Sequence, residues 1–370
     1  MNRRQFLKVG AVIPAASASR AALAQAMAAP KPAPSWRTFQ VTTRVEVKVD
    51  AKDAARGVTR AWLPVPSVES GYQRVLANDW SGNAATAKIV RDETYGAAML
   101  YAEWPASVDQ PVVELLSRVQ TRDRAVDFAA RPPEVEKLSP QARKLYTSPT
   151  AHMPLDGIVH EKMKAAIGSA RTDVDKARAI YEWVVENTFR DPKARGCGLG
   201  DMKTLLRSGT LGGKCADLNG LYVCLCRAAG LPARDVYGVR VAKSQLGYRS
   251  LGAGTENITK AQHCRAEVYL GDLGWVPVDP ADVRKVVLEE KATPLAIDDP
   301  LVRAARSRLF GSWEMNWLAY NTACDIALPH AREPGRIYLM YPQGETATGT
   351  LDSLDPDNFR YTITARETQA

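Results

Sequence analysis

The spacing of apolar residues changes period once along this chain, near residue 130, and that change limits the fold more than any other feature. Before it, Phe39, Val41, Thr43, Val45, Val47 and Val49 alternate with other residues, the two-residue period of a strand with one buried face. Runs at 59–65, 87–91, 97–104 and 111–121 read as further strands, punctuated by Gly, Pro, Asn and Asp. After it, Asp173-Val174-Asp175 opens a stretch whose Ala177, Ile180, Tyr181, Val184 and Val185 share one helical stripe. Residues 157–166 form a shorter helix, and 216–229 a third, closed by Gly230 and Pro232. Ala130-Arg131-Pro132-Pro133 marks the boundary.

Strands first and helices later describe an α+β protein, not an alternating βαβ fold. Residues 36–130 are therefore expected to form an antiparallel β-sandwich-like domain. Residues 150–290 would form an α+β core, and 291–370 a C-terminal extension packed on it. Trp62, Trp80 and Trp104 fit core and edge packing better than a binding groove.

The N-terminus reads as an address. Arg3-Arg4-Gln5-Phe6-Leu7-Lys8 is a twin-arginine pattern, followed by a short apolar stretch and by Ala22-Leu23-Ala24 and Ala24-Gln25-Ala26 as cleavage candidates. Residues 1–26 are expected to be a twin-arginine signal peptide and 27–35 a linker, so the product would be periplasmic or secreted. The formal charge of +8 includes Arg3, Arg4, Lys8 and Arg20, with no acid before residue 27. The mature chain would carry about +4, too little to argue for nucleic acid or an anionic membrane. Six cysteines are too few for a disulfide scaffold in 370 residues. Cys224 and Cys226 flank one helical residue, point to different faces and should not bridge.

Chemistry concentrates at Gly212-Gly213-Lys214-Cys215-Ala216-Asp217-Leu218-Asn219. A thiol attacks as thiolate, and a helix N-terminus favours that anion through free amides and the helix dipole. The two glycines are expected to let the chain turn tightly and leave room for substrate. Arg234–Val241 reads as a strand and 242–260 as a loop. His263 then opens an alternating strand, and Asp279 closes the next one after the turn Gly271-Asp272-Leu273-Gly274. On such a hairpin, Asp279 would orient His263 and His263 would take the thiol proton.

These segments resemble the bacterial transglutaminase-like family, thiol enzymes related in core fold to papain. The likeness is carried by residues 213–221, by Arg227-Ala228-Ala229-Gly230-Leu231-Pro232-Ala233-Arg234, by 263–270 and by Gly274-Trp275-Val276-Pro277-Val278-Asp279-Pro280. It covers residues 155–285 well. It implies a Cys215–His263–Asp279 catalytic triad acting on a peptide or protein amide through a thioester. Hydrolysis is favoured because it needs no acceptor-amine site. Protein-glutamine amine transfer, or a non-catalytic envelope module, are the alternatives. Many members have an aromatic residue two places after the His, where this chain has Arg265, so the substrate groove is where a departure is expected.

The mechanism requires no metal or other cofactor. Cys224, Cys226, Cys264 and His263 lack the spacing of paired zinc ligands. Gly212-Gly213-Lys214 lacks the first Gly and the Ser/Thr of a phosphate loop. Trp275 is expected beside the triad and Arg234 as a strand anchor. Trp313, Trp317 and Tyr320 suit a core at least as well as a groove cover. His152, His160 and His330 belong to no motif and read as surface or capping residues.

Overall fold

The computed structural model describes residues 35–48, 57–130 and 135–368. The expected signal peptide, the expected linker up to residue 34 and the expected boundary at Pro132-Pro133 lie outside them.

Alternation produces the expected strands in the first third. Arg37–Val47, Thr59–Pro64, Thr86–Arg91, Ala98–Trp104 and Val112–Thr121 all form. They belong to two antiparallel sheets, and Val45, Leu63, Leu100, Ala102, Trp104, Val113 and Leu115 bury one face of each between them. A further strand, Gln73–Gly82, pairs with Val112–Thr121 across a bulge near Val75. Its sequence did not announce it, because an exposed edge strand has no buried face to impose alternation.

The C-terminal residues reach beyond the core on which they were expected to pack. Phe359–Thr368 lies beside Arg37–Val47 from Thr38–Thr368 to Val47–Phe359, and Gln343–Thr346 extends the second sheet beside Thr59–Pro64. Both sandwich sheets are thus completed by strands about 300 residues away. Residues 337–341 run outside any strand, and the Ile337 and Leu339 carbonyls are taken singly, by the Asp325 N–H and the Asn321 side chain.

The core sheet is antiparallel, ordered Gly274–Val278, Gln262–Leu270, Ala233–Arg240, Trp317–Asn321. All nine residues of Gln262–Leu270 are buried. Cys264, Ala266, Val268 and Leu270 join the helix-side core, while Arg265 and Glu267 carry charge into the other face. The helix Cys215–Ala228 is buried on all sides from Cys215 to Arg227, and its buried polar members Asp217, Asn219 and Arg227 are each hydrogen-bonded. It ends as expected at Gly230, whose φ is +80°. The helix Asp173–Asn187 buries the anticipated stripe of Ala177, Ile180, Tyr181, Val184 and Val185. Helices Pro280–Glu289 and Pro300–Arg308 were not foreseen, although each is announced by Asp-Pro, an N-cap followed by proline at the first helical position.

Trp62 and Trp104 are fully buried and Trp80 is exposed, as core-and-edge packing requires. Trp313, Trp317 and Tyr320 are also buried. No helix among the described residues is long and apolar enough to cross a membrane.

Candidate active site

Cys215 occupies the first position of its helix, with Lys214 as N-cap. That terminus is fixed by a carboxylate three residues in. Asp217 accepts from the backbone N–H of Lys214, Leu199 and Gly200, each at 3.0 Å. Neither glycine before Lys214 has positive φ. They are glycines because a side chain has nowhere to go: a Cβ on Gly213 would overlap the Asp217 side chain, and one on Gly212 the Phe189 ring. The expected tight turn is thus replaced by close packing, in a short parallel pairing with Phe189–Arg190. The loop ending at Gly200 is held against the helix: Ala216 N–H donates to the Cys197 carbonyl at 2.9 Å, and the Cys215 Sγ lies 4.0 Å from that oxygen.

The hairpin register brings His263 and Asp279 together. The last paired residues are Ala266 and Val278, so Asp279 leaves the sheet beside the start of the neighbouring strand. It becomes the N-cap of Pro280–Glu289, one carboxylate oxygen accepting from Asp282 N–H at 3.0 Å and from Asn219 Nδ2 at 3.1 Å. The other oxygen lies 2.8 Å from His263 Nε2. Asn219 also donates to the Cys264 carbonyl at 2.8 Å, which ties the Cys215 helix, the His263 strand and Asp279 into one network. Trp317 Nε1 donates to the His263 carbonyl at 2.8 Å.

Several side chains at this site were not assigned from sequence. Asp282 lies 3.4 Å from His263 Nε2 and 2.6 Å from Arg240 Nη2. The spacing Asp279-Pro280-Ala281-Asp282, an acidic N-cap with a second acid at the third helical position, was the available signal. Cys197 and Cys264 flank Cys215. Arg265 is 2% exposed. It sits between Trp313 and Trp317, 5.3 and 4.7 Å from their ring centres, with Nε 3.6 Å from Asp279. The departure from the family pattern therefore stands behind Asp279, away from the groove wall. Trp275 is corrected too: it packs against Tyr146, Tyr269 and Arg234 at the turn end of the hairpin, away from the triad. Of the other histidines, His152 pairs with Asp325 and remains partly exposed.

The electrostatics favour a thiolate–imidazolium pair. The neighbouring Cys197 and Cys264 thiols pull the Cys215 thiol well below its ordinary value; burial opposes them and His263 adds to the lowering. The flanking thiols go the other way: the neighbouring Cys215 and burial raise Cys197, and burial followed by Cys215 raises Cys264. Burial and Arg240 push the His263 imidazolium down, but Asp282 and Asp279 outweigh them and its value is raised. Burial pushes Arg265 down to about 10. His263, Asp279 and Asp282 come as close as metal ligands. However, Arg240 and Arg265 already face the two carboxylates, a poor setting for a cation. All six cysteines are free thiols.

Beside Cys215 and His263 opens a groove of about 620 Å³ lined also by Cys197, Gln262, Tyr341 and Tyr361. The paired side chains and the open groove allow nucleophilic attack on a bound carbonyl.

Residues 161–280 match the transglutaminase-like superfamily. Over 327 residues the chain is 36% identical to a Haemophilus influenzae protein described as uncharacterized, covering 85% of this chain and 87% of that one. A proposed cysteine protease from Cytophaga hutchinsonii is similar in structure with a TM-score of 0.49 at 16% identity, over 90% of this chain and 98% of the other. The periplasmic domain of TgpA from Pseudomonas aeruginosa gives 0.35 at 18% identity, over 68% of this chain and 89% of that domain.

Proposed function

We propose that this chain, which carries a transglutaminase-like superfamily domain and belongs to one family with the Haemophilus influenzae protein, is an exported cysteine hydrolase of amide bonds. The observation that carries this reading is the Cys215 thiol at a helix N-terminus, lining one groove with a His263 that bonds Asp279 at 2.8 Å.

In the proposed cycle the Cys215 thiolate attacks the amide carbonyl carbon. The resulting oxyanion meets the Cys215 N–H, which has no intrahelical acceptor at the first helical position. His263 gives its proton to the amide nitrogen as the C–N bond breaks and the amine leaves. The acyl group remains on sulfur as a thioester. Water then attacks that carbonyl while His263 takes its proton; the C–S bond breaks, the acid departs and the thiol is restored. Asp279 keeps the ring oriented and supports its charged form.

Hydrolysis and amine transfer share the acyl-enzyme and differ in what attacks it. Incubation with an accepted peptide and excess primary amine, read by mass, should yield mainly the free acid. Predominant amine adducts would replace hydrolysis with transfer.

Export by the twin-arginine route is supported by Arg3-Arg4 ahead of an apolar stretch and Ala-x-Ala. Replacing both arginines by lysine should leave full-length protein in the cytoplasm, while the wild type appears in the periplasm shortened by about 24–26 residues. Equal periplasmic yield from both would reject this route.

A further inference from the structure

The groove beside Cys215 is lined by six cationic side chains, Arg190, Arg195, Lys214, Arg240, Lys260 and Lys285, and by no Asp or Glu. Three carboxylates stand behind them. Glu289 meets Arg190 and lies 3.8 Å from Lys285, Asp282 is 2.6 Å from Arg240, and Asp352 is 2.6 Å from Arg195. Lys214 and Lys260 have no ion-pair partner among the described residues. Of the remaining charges, Cys215 thiolate pairs with His263 imidazolium and Asp279 with Arg265, and the Asp217 carboxylate, bound by the Lys214 N–H, subtracts one more from the six cations. The groove is therefore left with an excess of positive charge.

The placement of that excess is informative. Lys214 immediately precedes the nucleophile, and Lys260 lies three residues before His263, so each reacting residue follows an unpaired cation closely in the chain. Lys285 is largely withdrawn from solvent, and burial with the nearby Arg240 pushes its ammonium down. An anion bound in the groove would relieve that repulsion. Gln262, next to His263, has a buried side-chain nitrogen without a partner and lines the same wall. In a concave site of one sign the field is focused and less screened than on an open surface.

We propose that this groove selects acidic peptides, substrates carrying a carboxylate next to the amide that Cys215 attacks. The inference rests on the cysteine-hydrolase reading and adds the class of substrate. The bound carboxylate would face Lys214 and Lys260, with Lys285 and Arg190 deeper in the groove, while the scissile carbonyl reaches Cys215 and the nearby Gln262.

The test uses the folded, mature-length protein and a synthetic peptide mixture randomised at the four positions around a central amide, with products sequenced by mass. Cleaved peptides should be enriched about tenfold in Glu or Asp over Gln or Asn at one of these positions, with Lys depleted there. The enrichment should shrink as salt rises from about 0.05 to 0.5 M. The double variant Lys214→Glu with Lys260→Glu should reverse the order of Glu and Lys. Products with no acidic enrichment would overturn the proposal, as would no cleavage at all from a protein whose Cys215 is still alkylated by iodoacetamide in a His263-dependent way. If that alkylation is itself missing, the underlying cysteine-enzyme reading fails instead.

Discussion

Cys215→Ala should lower amide turnover by about 10⁴-fold or more, leaving the residual rate that binding and oxyanion contacts alone supply. His263→Ala should come close to the same loss, because nucleophile and base act as one unit. The proton chemistry offers a second, independent reading. With the Cys215 thiol held down and the His263 imidazolium raised, the ion pair exists above the thiol value and disappears as pH rises through the imidazolium value. Iodoacetamide should therefore alkylate Cys215 well below pH 8.5, the ordinary thiol value. His263→Ala removes a neighbouring positive charge, so the midpoint of that profile should move up. The other cysteines will interfere little: burial pushes Cys226 and Cys324 up to about 12, and Cys197, Cys224 and Cys264 are raised as well. Full turnover by Cys215→Ala, or an alkylation profile unmoved by His263→Ala, would remove the triad from the mechanism.

The second large effect concerns stability. Glu267 is fully buried and is held by Arg124 at 2.7 Å and by Arg234 at 2.6 Å. Arg234 also lies over the Trp275 ring, 4.0 Å from its centre. The anticipated anchoring role of Arg234 is thus an ion pair with Glu267, and the same carboxylate is joined to Arg124 from before position 130. Glu267→Ala leaves two largely buried guanidiniums without their partner and should cost about 3–5 kcal/mol in urea unfolding. A loss under about 1 kcal/mol would show that water replaces the carboxylate freely.

The pH dependence of this contact has a definite sign. Burial would raise Glu267, but Arg234 and Arg124 outweigh it and hold the carboxyl below its usual range. Its contribution is complete above the unfolded value of about 4.3 and is lost as pH falls through the lower folded value. Glu267→Gln should remove that part of the acid sensitivity, so the two unfolding curves converge in acid.

Much of the site was legible because its signals are local. A Cys after two glycines at the start of an apolar helix and a His and an Asp at matching ends of a hairpin need only secondary-structure periods to be placed. The roles of Asn219, Asp282 and Arg240 were not legible. Each acts through a partner brought near by tertiary packing, such as Asp279 for Asn219, 60 residues away. Even the glycines were read for the wrong reason. Their residue type pointed to backbone freedom, whereas the space their side chains would need is filled by Phe189 and Asp217.

The sequence by itself determined the order of strands and helices, the stripe of the helix Asp173–Asn187, the hairpin that carries His263 and Asp279, and the thiol chemistry those residues suit. These follow from side-chain period, caps and turn residues, which act over a few positions. The tertiary structure alone decided that residues 343–368 complete both sandwich sheets, that Arg265 backs Asp279 between two tryptophans, and that six cations line one groove. Strand pairing across 300 residues and the sign of a cavity depend on which distant surfaces meet. Local propensity carries no record of that choice.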